Sequence, residues 1–139
     1  MDRRVLLDAG PLVAYLNAKD RYHDWARERL ATMVTPLATC EAVLTEASFL
    51  LGRSGARTVL DLVARGVFSF PLDVAAEAPA LHRLVARYED QPMSFADACL
   101  VRLSELFEDS VVFTLDRDFQ VYRRNGRKTI PTISPHSWR

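Results

Sequence analysis

Asp8 and Asp116 each close a short apolar run, Val5-Leu6-Leu7-Asp8 and Val111-Val112-Phe113-Thr114-Leu115-Asp116. A carboxylate at the carboxyl end of a buried strand is poor packing and useful chemistry, because open α/β sheets bind ligands in the crevice outside those strand ends. Two more acids stand where amphipathic periodicity would not put them: Glu46 in Leu44-Thr45-Glu46-Ala47-Ser48-Phe49, and Asp97 in Phe95-Ala96-Asp97-Ala98-Cys99-Leu100. Each alone has a structural explanation; Asp97, for example, falls in a helical first turn, where a negative charge is favourable against the helix dipole. If all four converge, they raise one another's pKa unless a cation joins them. Ligation by oxygen alone selects Mg2+ or Mn2+. Such an ion, with an activated water on one side and a leaving oxygen on the other, hydrolyses phosphodiesters.

The elements that must position these acids follow from the pattern around them. Residues 4–8 read as a buried strand, and Gly10-Pro11 turns the chain into a short helix from Leu12 to about Asn17. A second helix is predicted over 22–33 and a short strand over 36–39. Glu41 to Arg53 carries Val43, Leu44, Ala47, Leu50 and Leu51 at helical spacing, with Gly52 and Gly55 marking its end and the next turn. A helix over Arg57–Arg65, a strand over Val67–Leu72 and a helix from Val74 to Tyr88 capped by Asp73 follow. Ser94 caps a helix from Phe95 to Phe107. Strands are predicted over 111–115 and about 129–133. Strands alternating with helices predict an α/β fold with a central, mostly parallel sheet, and 139 residues suit one domain, 1–139.

Composition excludes several classes. The net charge is zero, with 18 basic and 18 acidic residues, so any nucleic-acid binding must come from a local patch. Sixteen of the basic residues are Arg, which suits bidentate phosphate contacts. Cys40 and Cys99 lie in no CxxC or CxxH pattern, which argues against structural zinc and for small buried hydrophobes in a reducing compartment. The start Met1-Asp2-Arg3-Arg4 lacks the features of a signal peptide, and no apolar run reaches membrane-helix length. The expected location is cytoplasmic.

Four motifs in order carry a family resemblance. Leu7-Asp8-Ala9-Gly10-Pro11-Leu12-Val13-Ala14-Tyr15-Leu16 resembles the opening signature of PIN-domain ribonucleases. Thr45-Glu46-Ala47, Ala96-Asp97-Ala98 and Phe113-Thr114-Leu115-Asp116-Arg117-Asp118-Phe119 are similar to its later motifs. Spacing and length resemble the VapC toxins of toxin–antitoxin pairs. The resemblance implies a three-layer PIN-like fold and a Mg2+- or Mn2+-dependent endoribonuclease. It also implies an RNA substrate, a cognate antitoxin and a homodimer. It makes Asp8, Glu46, Asp97 and Asp116 the catalytic and metal-binding acids, with Thr114 supporting them from the same side of its strand. Two departures stand out. Ala9 occupies a place where many relatives carry a hydroxyl, and Ser94 one where many carry a further acid.

Other residues carry two readings each. Asp118 could join the metal site or cap a helical turn over Phe119–Arg123, and capping is the preferred expectation. Arg123, Arg124 and Arg127, in the densest basic stretch, could grip RNA phosphates or simply surround a turn at Asn125-Gly126. Glu41 lies roughly 140° around its helix from Glu46 and is expected to face elsewhere. Asn17 could polarise a substrate or end its helix. His23, His82 and His136 share no motif and read as structural. Tyr22, Trp25, Phe49 and Phe68 read as core or interface, and apolar residues on the early helices could meet a partner peptide or a second copy. A phosphatase with Asp8 as nucleophile would need an acid where Gly10 stands, and a receiver domain would need an acceptor Asp between Leu62 and Pro71; both are absent. The alternative is a non-catalytic α/β module that binds a partner or ligand.

Overall fold

The computed structural model describes residues 3–136. From the amino end, β1 (Arg4–Leu7) leads into α1 (Ala9–Leu16) and α2 (His23–Leu30). β2 (Leu37–Ala38) precedes α3 (Glu41–Leu51) and α4 (Gly55–Ala64), and β3 (Phe68–Ser69) precedes α5 (Val74–Arg87) and α6 (Phe95–Leu106). β4 (Ser110–Phe113) is followed by a 3-10 turn (Arg117–Gln120), then β5 (Arg123–Arg124), β6 (Lys128–Thr129) and β7 (Thr132–Ile133). Five strands form one sheet in the order β3-β2-β1-β4-β7, every pairing parallel. Helices flank it, so the expected α/β architecture is the one observed. None of these helices is long and apolar enough to cross a membrane.

Strand order fixes where a site can form. The chain runs outward from β1 through β2 to β3, then returns to place β4 on the other side of β1. The order therefore reverses between β1 and β4, the switch point where α/β sheets open a crevice at their carboxyl edge. Leu7 pairs with Phe113, which sets Asp8 level with Thr114, and Asp8 N–H donates to the Phe113 carbonyl at 3.0 Å. Leu6, Leu7, Val112 and Phe113 are buried to 1% exposure or less, together with Val43, Ala47, Leu100 and Leu103 of the helices. Near-continuous apolar strands of this kind are expected where a parallel sheet is covered on both faces.

Several boundaries differ from expectation, each for a local reason. α1 begins at Ala9, not Leu12, because the Asp8 side chain accepts from Ala9 N–H at 2.8 Å and caps it. Pro11 is accommodated because the first-turn N–H groups lack helical partners in any case. A Cβ on Gly10 would stand 3.1 Å from Leu115 Cβ, so glycine lets α1 start close against the chain leaving β4. The strand expected over 129–133 divides at Ile130-Pro131. β6 pairs antiparallel with β5, whereas β7 pairs parallel with β4. The Asn125-Gly126 turn between β5 and β6 is present, with φ of 52° and 86°. Asp73 caps α5 as expected. Ser94 caps α6 in a reciprocal box with Asp97.

Candidate active site

Thr114 ties the two strand-end motifs together. It is fully buried; its hydroxyl donates to Asp8 Oδ2 at 2.6 Å and accepts from Asp116 N–H at 2.9 Å. One side chain thus orients the first acid and the backbone that carries the last. The Asp116 carboxylate accepts from Asp118 N–H at 2.8 Å, so Asp116 caps the 3-10 turn. This corrects the expectation that Asp118 caps a turn over Phe119–Arg123: the turn starts at Arg117, and the Asp whose carboxylate reaches the N–H two residues on is Asp116. Asp118 lies half-buried beside it.

Asp97 is held from two sides. Its Oδ2 accepts from the Tyr122 hydroxyl at 2.8 Å and, more weakly, from Ser94 N–H at 3.4 Å. Its own N–H donates to Ser94 Oγ at 3.0 Å. Tyr122 is fully buried and edge-on to both Tyr88 and Phe119, with ring centroids 5.2 Å away in each case. The phenol is locked by packing, and so is the carboxylate it holds. Tyr122 had no signal in the sequence, because nothing local links it to an acid 25 positions earlier.

Electrostatics joins the four acids. Burial pushes Asp8 from 3.8 up to about 7; the Thr114 hydroxyl and Ala9 N–H oppose the rise, and the charges of Asp97 and Glu46 add to it. Asp97 is raised by its own burial, against the Tyr122 hydrogen bond and with the charge of Asp116. Asp118 is raised by desolvation and then by Asp116. Glu46 stays solvent-exposed on α3 while its charge reaches Asp8. Among the described residues none of these five acids takes part in an ion pair. Hard oxygen donors with mutual repulsion and no guanidinium or ammonium to relieve it are the chemistry of a divalent-cation site. No group of three or more His, Cys, Asp or Glu among the described residues stands ready to enclose an ion. Carboxylate oxygens of this kind are the donor type that Mg2+ accepts, one or two at a time beside its waters.

In the basic stretch two of the three arginines, Arg123 and Arg124, bond to backbone carbonyls. One Arg123 nitrogen donates to the carbonyls of Gln120, Val121 and Tyr122. Arg124 donates to the carbonyls of Ser104 and Glu108, closing the carboxyl end of α6. Helix-end carbonyls have no helical donor and attract cationic side chains. Arg127 is exposed. Cys40 and Cys99 are buried and free, with Cys99 held high by its hydrogen bond to Cys40. Trp25 packs on Phe113 at 5.3 Å and belongs to the core.

Comparison with known proteins agrees with this fold. No protein-family profile matches the chain. It is 28% identical over 117 residues to Ribonuclease VapC26 of Mycobacterium tuberculosis, covering 81% of this chain and 87% of that protein. Its fold matches the crystal structure of Mycobacterium tuberculosis VapC20, a sarcin-ricin loop cleaving toxin. The TM-score is 0.75 at 21% identity, over 84% of this chain and 93% of that one. The chain is thus similar in sequence to a VapC ribonuclease and shares its fold with a VapC toxin. In this chain Asp8 and Asp116 lie near the carboxyl ends of β1 and β4, beside the switch point, and Thr114 bonds to both.

Proposed function

We propose that this chain is a Mg2+- or Mn2+-dependent endoribonuclease and the toxin of a toxin–antitoxin pair. The observation that carries the reading is Asp8: a nearly fully buried carboxylate, pushed to about 7, under the charges of Asp97 and Glu46 and with no cationic partner among the described residues. Such a group is uneconomical for stability and suited to holding a cation at a crevice. Similarity to Ribonuclease VapC26 supports RNA as the polymer cut.

In this reading one or two of Asp8, Glu46, Asp97 and Asp116 would ligate the ion directly and the others would hold its waters. The bound ion supplies an activated water and charge stabilisation at the scissile phosphate. Asp8, fixed through Thr114 and Ala9 N–H, gives a ligand of set direction. Asp97 turns its Oδ2 to Tyr122 and leaves Oδ1 for the site. Asp116, which caps the turn beyond β4, would add its charge to that of Asp97, with Asp118 beside it. Exposed Glu46 faces the solvent side, where it can order a water. An antitoxin would cover the apolar surface that α3 and α4 leave open at Phe49, Leu50 and Leu60. An Arg from it could replace the cation by pairing with the carboxylates. Association into a homodimer belongs to the same reading.

The test is Asp97→Asn. The amide keeps the shape and still accepts from Tyr122, but the charge is gone. Purified variant and wild type, compared on labelled RNA with Mg2+ or Mn2+, should differ by loss of cleavage at equal folding, with growth arrest on expression lost as well. Cleavage at the wild-type rate under matched metal would remove Asp97 from the mechanism. A wild type that cuts no RNA with either ion would leave the binding-module reading in its place.

A further inference from the structure

We propose that Arg21, Tyr22, Arg117 and His136 form a substrate subsite beside the acids, in which the Tyr22–His136 pair receives a nucleobase and the two guanidiniums take neighbouring phosphates. The inference rests on the ribonuclease reading and names the surface that would grip the polymer.

Three distant segments meet here: the turn before α2, the 3-10 turn, and the chain beyond β7. The Tyr22 and His136 rings meet edge to face, with centroids 5.7 Å apart at 89°. The Arg21 guanidinium lies 5.2 Å from the centre of the Tyr22 ring. Tyr22 is fixed from behind, its N–H donating to Asp20 Oδ1 at 2.8 Å. His136 is tied to the 3-10 turn by Gln120, whose Nε2 donates to the His136 carbonyl at 2.5 Å, and its N–H donates to Ser134 Oγ at 3.1 Å. Arg117 opens that turn and directly follows Asp116. The subsite is therefore anchored to the motif that carries one of the acids.

The charges are available. Arg21 and Arg117 are exposed, and among the described residues neither forms an ion pair. This contrasts with half-buried Arg123 and Arg124, each of which has one guanidinium nitrogen held by backbone carbonyls. The His136 imidazole is held below the ordinary histidine range, by desolvation first and then by the charges of Arg117 and Arg21. A neutral ring near pH 7 suits stacking and hydrogen bonding rather than a third cation. Unpaired RNA presents base faces and phosphates together, and aromatic rings interleaved with Arg are the surface that takes both. In a chain of zero net charge, phosphate affinity has to be built locally in this way.

The experiment measures binding without cleavage. Full-length Asp97→Asn protein is titrated into a short fluorescein-labelled single-stranded oligoribonucleotide of mixed sequence, and anisotropy is followed across a salt series. Adding Arg21→Ala and Arg117→Ala together should weaken binding by roughly tenfold or more at low salt. It should also flatten the slope of log K against log salt by roughly 0.7 for each phosphate that is no longer neutralised, about 1.4 in all. Tyr22→Ala should weaken binding with an unchanged slope, because stacking releases no counterions. If the double variant keeps the parent's affinity and slope while wild type cleaves RNA, the subsite is wrong and the ribonuclease reading stands. If the parent binds no RNA and wild type cleaves none, both fall.

Discussion

Replacing Tyr122 by Phe removes one hydroxyl and keeps the ring that packs between Tyr88 and Phe119. Asp97 Oδ2 is then left with only the 3.4 Å contact from Ser94 N–H. A hydrogen bond to a charged group contributes about 1.5–3 kcal/mol, and losing its donor leaves a buried acceptor unpaired. The metal-free protein should lose stability of that order above the pH at which Asp97 ionises, roughly 5–10 °C in Tm for a domain of this size. The loss should shrink in acid: the Tyr122 bond favours the charged carboxylate, so it contributes least when Asp97 is protonated. Groups that orient a metal ligand typically matter by about 10–100-fold in metal affinity or activity. The assay follows cleavage of labelled RNA across a Mn2+ series, and in parallel the rise in Tm that Mn2+ produces. Tyr88→Phe is the control, since Tyr88 accepts from Arg123 N–H and touches no acid. The expected result is a shift to higher Mn2+ in both readouts for Tyr122→Phe and in neither for Tyr88→Phe. Equal Mn2+ dependence in the two variants would refute the claim that Tyr122 positions Asp97.

Asp8→Asn should raise the Tm of the metal-free protein at pH 8. The folded-state rise from 3.8 to about 7 means that stability present below about pH 4 is lost as pH climbs through 7, at most roughly 4 kcal/mol. The advantage of the variant should vanish toward pH 4, and Mn2+ should restore the wild type alone; a variant that melts below wild type at pH 8 in chelator would contradict this. Arg124→Met strips the donors from the Ser104 and Glu108 carbonyls. It should lower stability by about 1–2 kcal/mol while leaving the Mn2+ dependence of cleavage unchanged, which chemical denaturation and the cleavage assay check together. Gly55→Ala would place a Cβ 2.2 Å from the Ser48 carbonyl oxygen. That backbone clash between α3 and α4 should cost about 1–3 kcal/mol; an unchanged denaturation midpoint would show that the two helices can separate freely.

Legibility in the sequence followed the range of the interaction. The strand-end positions of Asp8 and Asp116 were readable because an apolar run broken by a carboxylate is a local signal. The same holds for the Ser94–Asp97 box, whose partners are three residues apart, and for the Asn125-Gly126 turn. Thr114 was readable because side chains two apart on a strand share a face. Asp118 was misassigned as a cap because two acids two residues apart compete for one turn, and only the backbone path beyond β4 selects Asp116.

By itself, then, the sequence determined an α/β chain with alternating elements and singled out four acids as candidates for a hard-cation site. These rest on residue type and short-range periodicity. Tertiary structure alone decided that β1 and β4 are neighbours at the reversal of strand order, and that Tyr122 holds Asp97. It also decided that one nitrogen each of Arg123 and Arg124 is held by carbonyls, while Tyr22, His136 and the 3-10 turn come together. The reason is that burial and through-space charge depend on packing: a hydrogen bond between positions 97 and 122, or 8 and 114, exists only once the sheet and its helices have closed around both ends of it.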